Sequence, residues 1–91
     1  MYAVETPIRG EPRDLVGLTA PELVSRLGNP ALQVREGTSL KLQFRSARCV
    51  LDAYLYAQAG GALRVAHVDT RAPSGLDTNQ AVCISSFGAA S

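Results

Sequence analysis

The chain has 91 residues, of which 46% are hydrophobic and 19% charged, and its formal net charge is +1. This composition fits one soluble globular domain rather than a disordered or membrane-spanning chain. The nine basic residues are scattered along the sequence, so no basic stripe for a nucleic-acid partner is predicted. A domain this short buries only about 60 to 65% of the surface that its unfolded chain exposes, so we expect an additional source of stability.

The start of the chain predicts an extended N-terminal arm over residues 1–13, because Pro7, Gly10 and Pro12 disfavour regular structure there. Residues 14–91 then form a single domain. No apolar run reaches the ~20 residues of a spanning helix. The opening stretch MYAVETPIRGEPRD also lacks the basic start and apolar core of a secretory signal. The sequence therefore predicts either a cytosolic protein or a mature domain whose leader has been removed.

The best-marked element is a short helix over residues 20–27. Thr19 and Glu22 have the Thr-x-x-Glu spacing of a capping box, in which each side chain binds the other residue's backbone N–H. Gly28 supplies a stop and Pro30 blocks continuation. One apolar stripe lies between these signals: Leu23, Val24 and Leu27.

Alternating apolar and polar residues then predict three strands. The first lies in ALQVREGTSLKLQFRS, preceded by a turn at residues 35–37, and the second is RCVLDAYLYA at residues 48–57. The third covers residues 62–68 and follows Gly60 and Gly61, which are typical of a hairpin turn. The three strands are expected to form an antiparallel meander.

Beyond the strands, Asp77 and Gln80 predict a second capping box before a short C-terminal helix. The predicted fold class is α+β, with short helices packed on the three-stranded meander. One apolar residue set falls on the inward stripe or face of each element and forms the predicted core: Leu18, Leu23, Leu27, Leu40, Leu42, Phe44, Leu51, Leu55, Leu63, Val65 and Ile84.

The two faces of the second strand differ in chemistry. One carries Cys49, Leu51, Ala53 and Leu55, and the other carries Val50, Asp52, Tyr54 and Tyr56. We expect Asp52 to be a solvated residue paired with a cation on the first strand, Lys41 or Arg45. Because tyrosine is enriched at interfaces, Asp52, Tyr54 and Tyr56 are the candidate protein-contact residues.

The sequence contains few of the residues that a catalytic or metal site would require. His67 is the single histidine and is expected on the strand face of Leu63 and Val65, where it would act as a general base for Cys49. No oxyanion-hole segment or orienting motif accompanies this pair. Cys49, His67 and Cys83 lack the paired spacing of a zinc site, and QAGGAL lacks the Lys-Ser/Thr of a phosphate loop. No catalytic, metal or cofactor site is therefore predicted.

The two cysteines offer the extra stability that a small domain needs. A disulfide between Cys49 and Cys83 would close a loop of about 34 residues, worth about 3 to 4 kcal/mol in the chain-entropy model. It would attach the C-terminal helix to the start of the second strand. Two reduced, buried thiols are the alternative. A disulfide would favour an oxidising compartment.

Two motifs resemble those of a known family. DLVGLTAPELVSRLGNP begins its helix with Gly17, Leu18 and Thr19, and ends it with Leu27, Gly28, Asn29 and Pro30. This helix is followed by an amphipathic strand, and then by the stretches CVLDAYLY and LRVAHV. Over residues 14–68 this arrangement resembles the SmpA/OmlA family, the BamE-like small lipoproteins of the Gram-negative envelope, in which a three-stranded meander follows such a helix.

The strand CVLDAYLY is similar to the Cys-Val-Leu-Asp-Leu-Phe-Leu-Tyr strand of a little-characterised branch of these proteins. That branch has a second cysteine near its C-terminus, which Cys83 matches. Leu42, Gln43 and Phe44 stand where the branch usually has Trp-Gln-Tyr. These residues contain no lipobox cysteine, so a lipid anchor would require a leader region ahead of them.

The resemblance implies a non-catalytic, periplasmic domain, associated with the outer membrane through a removed N-terminal segment. Such a domain would support outer-membrane assembly or integrity by contacts with envelope proteins. An inhibitor or immunity-type binding module is one alternative, because fold alone does not fix function. A small enzyme that uses Cys49 and His67 is another, and a cytoplasmic location is the alternative compartment.

Overall fold

The computed structural model describes residues 15–88, so the arm predicted for residues 1–13 lies outside the described residues. Two helices and four strands follow one another along the chain. Their bounds are α1 Ala20–Leu27, β1 Leu32–Glu36, β2 Ser39–Arg45, β3 Val50–Ala57, β4 Leu63–Arg71 and α2 Gln80–Gly88. The α+β class is confirmed.

The strands form one antiparallel sheet in the order β1-β2-β3-β4. The meander therefore has four strands and not the predicted three, because β1 precedes the expected set. Leu32 and Val34 alternate with polar residues in β1, and a two-residue turn at Gly37 and Thr38 connects β1 to β2. Gly37 has φ +59°, a conformation that glycine adopts without strain. Two residues of the predicted turn, Arg35 and Glu36, belong to β1 instead.

Helix α1 has the predicted bounds and the predicted capping box. The Thr19 N–H donates to Glu22 Oε1 at 2.9 Å, and the Glu22 N–H donates to Thr19 Oγ1 at 3.4 Å. The bond from the Thr19 backbone lowers the pKa of Glu22, because it favours the ionised carboxylate. Gly28 ends the helix, and its N–H donates to the Val24 carbonyl. Local sequence signals therefore account for the whole of this element.

Helix α2 exists as predicted, but its cap differs. The Asn79 side chain, and not that of Asp77, accepts the Val82 N–H at 2.9 Å. The Cys83 N–H donates to the Asn79 carbonyl, so Asn79 is the residue at which the helical hydrogen bonds begin. The predicted capping box between Asp77 and Gln80 was placed two residues too early.

The core lies between the helices and one face of the sheet. Of the predicted core residues, Leu18 and Leu63 are only half-buried, while all the others are buried. Phe44 and Phe87 meet edge to face with their ring centroids 6.4 Å apart. Six buried members of this core were not predicted: Leu15, Cys49, Ala53, Val68, Cys83 and Phe87.

Candidate functional site

The sheet face that points away from the helices, here called the outer face, carries the candidate contact residues. Cross-strand neighbours place its side chains in rows that run over the strands. One row contains Val34, Lys41, Tyr54 and His67, in the order β1 to β4. The next row contains Leu32, Gln43, Asp52 and Asp69. The outer face therefore combines aromatic and charged groups in a fixed array.

Tyr54 lies at the centre of the first row, between two basic side chains. The Lys41 Nζ is 5.9 Å from the centroid of the Tyr54 ring, which is within the range of a cation–π contact. On the other side, the ring centroids of Tyr54 and His67 are 5.6 Å apart. Tyr54 is half-buried and Tyr56 is 47% exposed. Neighbours on both sides thus restrict the Tyr54 ring while part of it stays accessible.

A groove of about 260 Å³ lies beside the two tyrosines, at the β1–β2 end of the outer face. Its lining combines apolar, aromatic and charged groups. The lining residues are Val34, Glu36, Ser39, Leu40, Lys41, Tyr54 and Tyr56. Of the three candidate contact residues, Tyr54 and Tyr56 therefore line this groove, whereas Asp52 does not.

Asp52 is buried, with 2% of its surface exposed, so the expectation of a solvated residue was wrong. Its Oδ1 accepts from Gln43 Nε2 at 2.9 Å, and its Oδ2 accepts from Arg71 Nη1 at 2.8 Å. The expected pairing with a cation occurs, but the cation is Arg71 on β4 and not Lys41 or Arg45. The bond to Asp52 raises the pKa of Arg71, because the carboxylate stabilises the guanidinium.

A second arginine joins this network through the glutamine. Arg45 Nε donates to Gln43 Oε1 at 3.2 Å, which leaves the Gln43 amide nitrogen free to donate to Asp52. The sequence reasoning missed Gln43 and Arg71 as partners of Asp52. Gln43 lies between Leu42 and Phe44 in an ordinary alternating strand, so no local signal marks it. Burial and two charge-assisted bonds make Asp52 a residue that orients its neighbours.

The structure does not bring Cys49 and His67 together. Tyr54 pairs with His67 whereas Leu55 pairs with Val65, so β4 contains one extra residue at this point. This bulge turns His67 to the outer face, and the expectation that it shares the face of Leu63 and Val65 was wrong. Cys49 lies on the opposite, helix-covered side, in the buried core.

Cys49 and Cys83 form the disulfide that the sequence reasoning favoured, with 5.6 Å between their Cα atoms. Both cysteines are buried. The bond joins α2 to the residue that precedes β3. Beside it, Ser86 Oγ donates to the Cys83 carbonyl at 2.6 Å, and the hydroxyl groups of Ser46 and Ser86 are 3.1 Å apart. The disulfide thus lies beside two hydrogen-bonded serine hydroxyl groups. Its sulfur atoms are not available as nucleophiles, because the nucleophile is a thiolate and both thiols are consumed in the bond.

Within residues 15–88, no three His, Cys, Asp or Glu side chains lie close enough to hold a metal ion. Among the described helices, none is long and apolar enough to cross a membrane.

No protein-family model, no curated protein and no solved structure matches the chain. The resemblance to the SmpA/OmlA family therefore stays a prediction.

Proposed function

We propose that this protein is a non-catalytic domain of the cell envelope that binds another envelope protein through its outer face. The resemblance to BamE-like proteins supports a role in outer-membrane assembly or integrity. The observation that carries the proposal is the groove of about 260 Å³ beside Tyr54 and Tyr56. Tyr54 and Tyr56 are the expected anchors of the contact.

The geometry of the groove fits a protein contact. Tyrosine offers a large amphipathic surface and loses little side-chain entropy on binding. Tyr54 is already held between Lys41 and His67, which reduces that loss further. Arg71 and Asp52 hold the neighbouring row of side chains in place. A partner would therefore meet a largely preorganised surface.

The disulfide between Cys49 and Cys83 supports a periplasmic location. Disulfides form and persist in oxidising compartments, of which the bacterial periplasm is one. Small domains also use them where the core alone is too small to supply enough stability. The proposed partners are envelope proteins, and no cofactor or nucleic acid is part of the proposal.

The protein contact is tested by cross-linking from the groove. A photo-reactive residue placed at Tyr56 would be activated in envelope preparations, and the captured protein would be identified and purified. Tyr54→Ala should then weaken binding of that protein by about 1 to 2 kcal/mol, or about tenfold, as expected of an interface aromatic residue. Leu76→Ala is the control, because Leu76 is a 70% exposed residue of the loop between β4 and α2 and does not line the groove.

Equal loss of affinity in both variants, or no loss in Tyr54→Ala, would contradict the groove as the contact. A captured partner that is a secreted enzyme inhibited by the domain would favour the inhibitor-type alternative. The compartment needs a separate test in a deletion strain. Complementation should require export of the domain, and equal complementation by a form retained in the cytoplasm would contradict the envelope assignment.

A further inference from the structure

The two edges of the sheet differ in how they are covered. At β4, the Gly17 N–H donates to the Val65 carbonyl at 2.8 Å, and the Val65 N–H donates to the Leu18 carbonyl at 2.9 Å. Thr19 and Arg64 form a further bridge at the same place. At the other edge, no strand within residues 15–88 pairs with the outer side of β1.

The outer side of β1 is suited to pairing with another strand. An edge strand presents a row of backbone N–H and C=O groups that a further strand can bind. The five-residue strand contains no proline, and its register with β2 is continuous, so neither a missing donor nor a bulge interrupts this row. Leu32 is 45% exposed and Val34 is half-buried, so this edge also presents apolar surface.

We propose that two copies of this chain associate through β1 and form a two-fold symmetric dimer. The two β1 strands pair antiparallel about Val34 and join the sheets into one of eight strands, four from each copy. A two-fold interface must be self-complementary, since each residue i that contacts j is matched by j contacting i. The sequence of β1 meets this requirement in one register.

Pairing about Val34 places Val34 against its own symmetry mate. On the helix side of the sheet, the exposed Arg35 then faces the exposed Gln33 of the other copy, whose amide oxygen accepts from a guanidinium. On the outer face, Leu32 lies against the aliphatic part of Glu36 from the other copy. No two like charges are directly opposite each other.

Other registers are less favourable. Pairing about Arg35 would place two guanidinium groups directly opposite each other, which is destabilising. Pairing about Gln33 would leave only three residue pairs between the five-residue strands. Charge and length therefore select the register about Val34.

The dimer would bring the two grooves onto one continuous outer face. Val34 lines the groove and also lies on the proposed axis, so the grooves of the two copies would be neighbours. This arrangement does not depend on the envelope partner proposed above. Its tests use the purified chain alone, so the two proposals fail independently.

The first test is Val34→Glu, measured by sedimentation velocity over a series of protein concentrations. Within one chain the new carboxylate faces Lys41, its direct neighbour on β2, so the fold should persist. Across the two-fold axis two carboxylates would meet. We expect the wild-type chain to sediment as a dimer at high concentration, and the dimer dissociation constant to rise by at least about tenfold in the variant. Val34→Thr is the control, because it keeps the β-branched shape without a charge.

The second test uses charge changes at Gln33, which is exposed and should not affect folding. Gln33→Glu places a carboxylate opposite Arg35 of the other copy and should tighten the dimer, whereas Gln33→Lys should weaken it. Circular dichroism and thermal unfolding check that each variant is folded. A wild-type chain that stays monomeric at the highest concentration reached would overturn the proposal. A dimer that does not respond to these substitutions, or responds with the same sign to both charges at Gln33, would also overturn it.

Discussion

The two faces of the sheet are built from the same strands, yet they have different chemistry. The helix-covered face is apolar and includes Leu42, Phe44 and Leu51, which are almost completely buried. The outer face has Lys41 and Gln43 at the intervening positions of the same strand. Because side chains alternate along a strand, the sequence can place apolar residues on one face and polar and aromatic residues on the other.

The contrast is incomplete, because the outer face has a buried centre of its own. Asp52, Gln43 and Val50 are all buried there, although no helix among residues 15–88 packs over them. Long neighbouring side chains, such as Arg71, lie against this centre and supply its hydrogen bonds. The outer face is therefore a polar network with an exposed aromatic side, rather than a uniformly solvated surface.

The largest loss of stability is expected from a substitution in the helix-covered face. Phe44→Ala should lower the free energy of unfolding by about 3 to 5 kcal/mol, because it removes a buried ring and its contact with Phe87. Arg45→Ala, on the next residue and the other face, removes an exposed side chain and its hydrogen bond to Gln43, and should cost only about 1 kcal/mol. Urea denaturation measures both. Similar losses in the two variants would contradict the assignment of the faces.

The disulfide stabilises the same face, because it attaches α2 to the residue that precedes β3. Replacing both Cys49 and Cys83 with alanine should lower the free energy of unfolding by about 3 to 4 kcal/mol, because the unfolded chain gains entropy when its loop opens. Mass spectrometry of unreduced peptides should identify the linked pair in the native protein. Two alkylatable thiols in folded, never-reduced material would contradict the bond.

A smaller loss is expected when the network on the outer face is broken. Asp52→Ala should cost about 2 to 3 kcal/mol, because the buried amide of Gln43 and the guanidinium of Arg71 lose their acceptor. Asp69→Ala is the matched control, since Asp69 is directly opposite Asp52 in the sheet but exposed. If thermal denaturation gave the same small change for both, Asp52 would not hold the network together.

A substitution at Thr70 is expected to raise the free energy of unfolding rather than lower it. Its hydroxyl group is buried on the helix-covered face and has no hydrogen-bond partner in the described part of the chain. Thr70→Val should therefore raise the free energy of unfolding by about 1 kcal/mol, because it removes an unsatisfied polar group at nearly constant shape. Thr70→Ser keeps the hydroxyl and removes a methyl group, so it should destabilise. A loss in both variants would indicate that the hydroxyl is satisfied in solution.

The smallest effect concerns the cap of the helix that covers the apolar face. The pKa of Glu22 is lower in the folded state than in the unfolded state, because the Thr19 N–H donates to its carboxylate. The resulting stabilisation is present above the unfolded-state pKa and is lost as the pH falls through the folded-state pKa. Unfolding measured from pH about 6 to about 3 should show a steeper acid loss in the wild type than in Glu22→Gln. Parallel pH curves would contradict this contribution.

Much of the fold follows from the sequence alone. Signals that lie close together in the chain predict the bounds of α1 and the antiparallel order of the strands. The small size of the core predicts the Cys49–Cys83 pairing. A capping box, a glycine stop and a two-residue alternation act over a few residues, so they are visible without the tertiary structure. The groove tyrosines Tyr54 and Tyr56 were identified in the same way.

The remainder depends on how distant segments pack. β1 alternates over only five residues, two of them apolar, and it becomes a strand because β2 pairs with it. The bulge that turns His67 outward has no glycine to mark it. The burial of Asp52 depends on Gln43, 9 residues before it, and on Arg71, 19 residues after it. Alternation along a strand states which face a side chain points to, but only the long side chains of neighbouring strands settle whether water reaches it.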